Sequence, residues 1–200
     1  MTDSRSSRWH IENPAQGMNK NLKLFQIFYN DETRQQLDPG FIALDNRANT
    51  RPDWAEYWPI RQVLLNNQFS DNDYIGFFSP RFYEKTGCNS EQVKDVVTNG
   101  GDEIFSFSPF FDHSALHLNP FEQGERYHPG LITSFESLSG ELDIELNPRE
   151  IVCDHTTTIF SNYFVASYEI WKRWLAMTEI IFRICEENIT PLGQKMQACL

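Results

Sequence analysis

Polar and charged side chains follow three of the strands that the sequence predicts, at the point where each strand ends. Asp31 comes after residues 22–29, Asp45 and Asn46 come after residues 41–44, and Ser79 and Arg81 come after residues 74–78. Because ligands bind at the carboxyl ends of strands in open α/β sheets, we predict that these residues contact a substrate. The guanidinium of Arg81 has the planar fork that suits phosphate, and Lys85 adds a second cation.

A second set of reactive side chains is the Asp-His pairs of the later chain, Asp112-His113 and Asp154-His155. Adjacent residues of an extended chain point to opposite sides, so neither pair forms a ready catalytic dyad. Each pair can still supply one base, and we take Asp112, His113 and Asp154 as candidate catalytic residues. His113, His117 and Asp154 are also the ligands of an alternative, a metal-dependent hydrolase site, although nothing in their spacing requires one.

Structural alternatives accompany several of these candidates. Arg81 can pair with Asp71 or Asp73 at the surface, and Asp31 and Asp45 can be ordinary turn carboxylates. Asp71 and Asp73 spell Asp-x-Asp, but they precede their strand, so we expect them at the opposite edge of the sheet. The tryptophans at helical spacing favour core positions over sugar stacking; these are Trp54, Trp58, Trp171 and Trp174.

Aromatic residues are concentrated in the long loop of residues 108–129, which we interpret as a packed covering segment with a binding role. Phe111 is the member of this loop that we take as a substrate-stacking candidate. The other aromatic candidates in the loop are Phe110, Phe121 and Tyr127.

Composition bounds the class of protein. Two hundred residues fit one domain, and we predict a mobile tail over residues 1–21 followed by a single domain over residues 22–200. The formal net charge of -11 argues against a generic nucleic-acid binder and against adsorption to an anionic membrane. No apolar run approaches the length of a transmembrane helix. The four scattered cysteines favour isolated buried thiols in a reducing cytoplasm, where we expect the protein.

The predicted elements alternate between strands and helices. Strands are predicted over residues 22–29, 41–44, 74–78, 103–107 and 151–154, and helices over residues 54–65, 91–98, 131–138 and 162–187. Gly76, inside the third strand, indicates a close backbone approach or a bulge. This order predicts an α/β fold, a three-layer sandwich with a mostly parallel central sheet.

Two segments of the chain resemble glycosyltransferases of the capsular-polysaccharide type. The phrase SDNDYIGFFSPRFYEKTG resembles that family's helix-turn-strand unit, and Asp73-Tyr74-Ile75-Gly76 matches it directly. The later stretch TTTIFSNYFVASYEIWKRWL is similar to a second family segment. Ser79-Pro80-Arg81-Phe82 stands where the family has His-Tyr-Arg-Arg, so one arginine is kept and the histidine is lost. From the start of the first segment to the end of the second, the resemblance spans about half of the chain.

The resemblance implies a nucleotide-diphospho-sugar transferase fold and transfer of a sugar from a nucleotide-sugar donor to a saccharide acceptor, in cell-surface polysaccharide synthesis. With Ser79-Pro80-Arg81 at the place where a metal-binding Asp-x-Asp is expected, we predict no cofactor and no bound divalent metal. Asp31, Asp45 and Asn46 would contact the donor's base and ribose. The alternative is a non-catalytic carbohydrate- or protein-binding module that kept the fold. The sequence leaves the oligomeric state open.

Overall fold

The computed structural model describes residues 20–108 and 110–199 of the chain. Nearly all of the predicted tail, residues 1–21, lies outside the described residues. Asn21, the last residue of that range, already belongs to the first strand. Five strands form one sheet: β1 (Asn21–Phe28), β2 (Ile42–Asp45), β3 (Asp73–Phe78), β4 (Ile104–Ser106) and β5 (Phe164–Ser167).

The sheet is mixed, in the strand order β2-β1-β3-β5-β4. β1 runs parallel to β2 and β3, whereas β5 runs antiparallel to both β3 and β4. The α/β class is therefore confirmed, but two of the four pairings depart from the mostly parallel sheet that the sequence predicts. The cause is the long segment between β4 and β5, which returns the chain to the edge where β4 ends, so β5 enters the sheet from that edge.

Helices cover both faces of the sheet and build the segment between β4 and β5. A 3-10 turn, Pro52–Trp54, precedes α2. The helices are α1 (Asp31–Gln35), α2 (Tyr57–Asn66), α3 (Phe82–Thr86), α4 (Ser90–Asn99), α5 (Phe111–Leu116), α6 (Pro120–Glu125), α7 (Leu131–Glu141), α8 (Tyr168–Glu187) and α9 (Pro191–Gln197).

Two sequence predictions about elements are wrong. Residues 162–187 do not form one helix, because β5 occupies Phe164–Ser167 and α8 starts only at Tyr168. Residues 151–154 form no strand; the backbone N–H of Cys153 instead donates to the carbonyl of Leu118 at 2.8 Å. The loop of residues 108–129 is partly helical, since it contains α5 and α6.

β3 is the centre of the core. All six of its residues are buried, and alternate side chains enter two apolar clusters on opposite faces. Tyr74 and Phe78 pack with Val93 of α4 on one face, and Ile75 and Phe77 pack with residues of α2 and α8 on the other. This alternation follows from the period of two along a strand.

Trp171 of α8 and Gly76 of β3 fix the position of β5 and α8 against β3. The indole N–H of Trp171 donates to the carbonyl oxygen of Ile75 at 2.8 Å, and its ring is fully buried. A Cβ atom at Gly76 would lie 2.8 Å from Val165 Cγ2, so the close approach that the sequence predicts at Gly76 is confirmed. None of the helices in the described part of the chain has the length and apolar character needed to span a bilayer.

The cysteines are only partly as expected. All four are free thiols, but only Cys185 is buried, and the other three are half-buried.

Candidate functional site

A cleft lies at the carboxyl ends of β1 and β3, where β5 begins. Its central chamber, of about 760 Å³, is lined by Tyr29, Asn49, Trp54, Ala55, Glu56, Tyr57, Lys85, His128, Ser161, Asn162 and Tyr163. A histidine chamber of about 490 Å³ adjoins it and shares Lys85 and Ser161; its other lining residues are Phe110, Asp112, His113, Gln123 and Phe160. The two chambers meet at Lys85 and Ser161, and together they are called the cleft.

Lys85 is the only lysine or arginine among the residues that line these two chambers. It lies in α3, directly after the turn that leaves β3, and its ammonium is 5.5 Å from the centroid of the Tyr163 ring. No carboxylate lies within ion-pair distance of this ammonium among the residues that the structure describes. An unpaired ammonium in a cleft of this size is able to bind an anionic ligand.

Arg81 does not line either chamber of the cleft, although the sequence predicts that it contacts a substrate. Its guanidinium forms an ion pair with Glu84, three residues later, at 2.6 Å, and both side chains are more than 60 % exposed. Its partner is therefore neither Asp71 nor Asp73. Because helix α3 turns the chain after Arg81, this side chain faces solvent while Lys85 lines the cleft.

Ser79 lies beneath the cleft, where it makes structural contacts, and it lines neither chamber. Its side chain is buried, and its hydroxyl is hydrogen-bonded to the hydroxyl of Tyr163 across the β3–β5 boundary. Gln26 holds the same turn from the other side: its Nε2 donates to the carbonyl oxygen of Ser79 at 3.1 Å, and its Oε1 accepts from the N–H of Asp38 at 2.8 Å. Gln26 is 2 % exposed, so these bonds are made away from water.

Glu56 and Tyr29 form the second polar group of the central chamber. The hydroxyl of Tyr29 donates to Glu56 Oε1 at 3.2 Å. Burial raises the pKa of Tyr29 above its ordinary value, and the neighbouring Glu56 carboxylate raises this pKa further. Tyr29 therefore stays a hydrogen-bond donor at neutral pH, and Glu56 is a carboxylate placed to accept a proton from a ligand hydroxyl.

Asp31 and Asp45 lie close to each other, with Arg47 between them. Arg47 Nη1 is 3.1 Å from Asp31, and Arg47 Nη2 is 2.7 Å from Asp45. The hydrogen bonds from Arg47 lower the pKa of the Asp45 carboxyl. All three side chains are largely exposed. The contacts of Asp31 and Asp45 are therefore those of ordinary carboxylates in surface turns.

Asn46 lines a smaller recess, the amide pocket, on the α2 side of β2. This pocket of about 200 Å³ is formed by Leu44, Asp45, Asn46, Trp58, Pro59, Gln62, Val63 and Asn67. Asn46 is only 7 % exposed, and its Nδ2 has no hydrogen-bond partner among the described residues. A buried amide donor without an acceptor is costly, which makes Asn46 Nδ2 a candidate donor to a ligand or a water.

His113 lines the histidine chamber between two aromatic rings, those of Phe110 and Phe160, at centroid distances of 5.9 and 5.2 Å. Its Nδ1 is buried without a hydrogen-bond partner among the described residues. Its Nε2 is 3.9 Å from Asp112 Oδ2, which is too long for a hydrogen bond. His113 and Asp112 therefore enter the cleft as separate groups.

Asp154 does not line the cleft. Its carboxylate accepts hydrogen bonds from the side chain and N–H of Thr156 and from Thr157, and these bonds lower its pKa to about 2. A carboxylate held in this way is a weak base that stabilises its own turn. No three metal-ligating side chains come together among residues 20–108 and 110–199, so the structure does not assemble the His113, His117 and Asp154 site of the hydrolase alternative.

Phe111 also lies outside the lining of the cleft. It is 66 % exposed and packs against the ring of His155, whereas its neighbour Phe110 lines the histidine chamber. Of the other loop aromatics, Phe121 packs on Phe135 at 4.5 Å and Tyr127 is exposed. Phe110 is therefore the aromatic candidate of this loop that lines the cleft.

Backbone strain is concentrated around the cleft. Six non-glycine residues of the described chain have positive φ, and four of them line its two chambers: Asn49, Ala55, Phe110 and Ser161. Each such conformation costs about 1–3 kcal/mol for a residue with a Cβ atom, and such residues cluster at binding and active sites. Four of the six residues with positive φ therefore lie at this edge of the sheet.

Sequence reasoning missed several residues of the cleft, above all Tyr29, Glu56, Ser161 and Tyr163. Ser161 and Tyr163 lie inside the second segment of the family resemblance, which was the signal available for them. Glu56 carries no signal of its own, because its role depends on the strained turn at Ala55. Comparison of the chain with family models, with curated proteins and with solved structures found no match.

Proposed function

We propose that this protein is a glycosyltransferase-like domain that binds a nucleotide sugar in the cleft and transfers the sugar to a saccharide acceptor, in cell-surface polysaccharide synthesis. The observation that carries the proposal is the pairing of the two segments that resemble the capsular-polysaccharide transferases. They are distant in sequence, yet Ile75 of the first pairs with Ala166 of the second, and both segments contribute residues to the lining of the cleft.

The arrangement of helices supports the same fold proposal. α4 covers one face of the sheet, and α2 and α8 cover the other, which is the layering of a nucleotide-diphospho-sugar transferase. β5 is the one described strand that opposes its neighbours. The cytoplasm, where nucleotide sugars are made, is the compartment that goes with this proposal and with four free thiols.

The residues of the cleft divide the work of sugar transfer. Lys85 neutralises the diphosphate, which leaves as the bond from its oxygen to the anomeric carbon breaks. The amide pocket at Asn46 receives the polar edge of the nucleoside. An acceptor hydroxyl attacks the anomeric carbon, and its proton passes to Glu56 in the central chamber or to His113 in the histidine chamber. With Lys85 in this role, the leaving group needs no bound divalent metal.

The alternative function, a non-catalytic binding module with the same fold, is favoured by one observation. The turn that follows β3 carries no carboxylate, and Ser79 and Arg81 of that turn are bonded to Tyr163 and Glu84 instead of facing the cleft. A domain that had lost transfer would keep the chambers as a carbohydrate site.

Thermal unfolding with nucleoside diphosphates and nucleotide sugars tests the proposal. A ligand at 100 times its dissociation constant adds about 2.7 kcal/mol to the free energy of unfolding. We expect this stabilisation with and without manganese, we expect Lys85→Ala to abolish it, and we expect Arg81→Ala to retain it. Arg81 is the matched control, because it is a nearby cation that is already paired and faces solvent.

Two results would contradict the proposal. Absence of stabilisation by every nucleotide in the panel would exclude a donor site and leave the binding module. Equal losses in Lys85→Ala and Arg81→Ala would place the phosphate contact outside the cleft.

A further inference from the structure

A third compartment, whose walls are mostly apolar, adjoins the central chamber of the cleft. This apolar chamber, of about 330 Å³, is lined by Asp53, Trp54, Ala55, Tyr57, His128, Leu131, Thr178, Ile181 and Cys199. It shares four residues with the central chamber: Trp54, Ala55, Tyr57 and His128. The two chambers therefore lie side by side along these four residues.

The residues that line the central chamber and those that line the apolar chamber differ in polarity. The central chamber presents Lys85, Glu56 and the hydroxyl of Tyr29. The apolar chamber has one charged wall residue, Asp53, whose carboxylate is bound by the guanidinium of Arg51 at 2.5 Å. The hydroxyl of Thr178 is also occupied, because it donates to the backbone carbonyl of Trp174 at 2.9 Å within α8. The apolar chamber therefore offers few unused hydrogen-bonding groups to an occupant.

We propose that the apolar chamber holds the apolar aglycone of the acceptor, so that the acceptor is amphipathic: a hydroxyl-bearing sugar head carried on an alkyl, acyl or aryl tail. The inference rests on the proposed function, which places the reacting groups in the central chamber. A free sugar would leave the half-buried side chains of Leu131 and Ile181 facing water. A tail that covers them gains about 25 cal/mol for each Å² of apolar surface removed from water.

The test is binding of methyl, butyl, hexyl and octyl β-glucosides, each below its critical micelle concentration, measured by calorimetry without nucleotide. These probes share one head, so differences in affinity report the tail. We expect affinity to rise with chain length by up to about fourfold for each buried methylene group, and then to level off when the chamber is full. Equal affinity for the methyl and octyl compounds would overturn the proposal.

Two variants locate the tail. Thr178→Phe fills the chamber from α8, and Leu131→Glu places a carboxylate in it from the first turn of α7, where a negative charge is tolerated. Both should remove the dependence on chain length. Met177→Phe is the matched control, because it introduces the same ring at the preceding residue of α8, whose side chain is 57 % exposed. Survival of the octyl preference in both chamber variants would overturn the proposal.

Failure of this inference can be told apart from failure of the proposed function. Nucleotide stabilisation in the Thr178→Phe protein, which retains Lys85 and Asn46, reports the donor site alone. Flotation with phosphatidylcholine vesicles that carry an octadecyl glucoside then identifies the source of the tail. Co-flotation that Thr178→Phe abolishes supports a membrane lipid acceptor, and chain-length dependence without flotation supports a soluble glycoside.

Discussion

The contacts of single residues determine which charged groups of this protein are free to contact a ligand. Asp45, Arg81 and Asp154 are all strand-end or loop residues that suggest catalysis in the sequence, and each is occupied by neighbours in the structure. Lys85 and Glu56 keep their charged ends at the cleft. The difference lies in tertiary contacts that no local pattern of residue types encodes.

Asp154 gives a prediction about pH. Its pKa is lowered from 3.8 to about 2 by hydrogen bonds from Thr156 and Thr157 that favour the charged form. A depressed folded-state pKa contributes stability that is present above pH 3.8 and is lost as the pH falls toward 2. We expect Asp154→Asn to keep the turn, because the amide oxygen also accepts from the N–H of Thr156, and to flatten the decline of the melting temperature in this window.

The measurement is the melting temperature of both proteins between pH 5 and 2, taken as a difference so that other carboxylates cancel. Parallel curves for the two proteins would contradict the assignment of this pH dependence to Asp154. Transfer activity, where the protein has it, should survive the substitution, since Asp154 lies outside the cleft.

At the scale of elements, the packing of β3 against β5 holds the two walls of the cleft in register. Gly76 allows this contact, because any Cβ there would lie 2.8 Å from Val165 Cγ2, a stiff and fully buried β-branched side chain. Gly76→Ala should lower the free energy of unfolding by about 1–3 kcal/mol through overpacking. Chemical denaturation measures this directly.

A double-mutant cycle identifies the clash as the cause. Val165→Ala removes the obstructing methyl group, so the pair Gly76→Ala and Val165→Ala should be more stable than the sum of the single effects predicts, by about 1 kcal/mol. Gly140→Ala in α7 is the control, since a Cβ there meets no atom within 4 Å, and a helical alanine should stabilise by about 0.5–1 kcal/mol. Additive effects at positions 76 and 165 would rule out the direct contact.

The elements that the sequence predicts well are those with a strong local pattern. β1 and β3 are continuous apolar runs, and α2 has an apolar stripe at helical spacing, so each appears within a few residues of its predicted bounds. β5 was missed because its four residues, FVAS, join directly onto a long apolar helix without a turn signal. Its antiparallel direction depends on the path of some fifty preceding residues, which no short window contains.

The cleft was predictable in place but not in detail. The predicted strand ends lie at the edge of the sheet where the cleft is found, and its lining includes candidates that the sequence singles out, among them Lys85, Phe110, Asp112 and His113. Gln26 illustrates what could not be predicted: a glutamine inside an apolar strand looks like a surface position. Its two ends instead satisfy backbone groups of two separate turns. Such a contact is set by the assembled fold.

Across the whole molecule, the cleft lies between two parts of the chain. One wall is the sheet edge with α2 and α3, and the other is the segment between β4 and β5. This segment is tied to the rest through α9, which packs against both α7 and α8. The molecule carries a formal net charge of -11, and Lys85 is the one unpaired ammonium among the residues that line the cleft. An anionic ligand is therefore attracted locally by Lys85 and not by the molecule as a whole.

Hydrogen exchange on the whole chain tests this two-walled arrangement. At labelling times too short for global unfolding, a nucleoside diphosphate should slow exchange in α3 and in residues 53–57, and an octyl glucoside should slow it around the start of α7. α4 is the internal control, because it packs on the face of the sheet opposite α2 and α8 and lines none of the chambers. Local opening sets exchange in this regime, so ligand contacts and not total stability determine where protection occurs. Protection by the nucleotide that is confined to α4, or that is equal in every helix, would show that the ligand binds elsewhere than between the two walls.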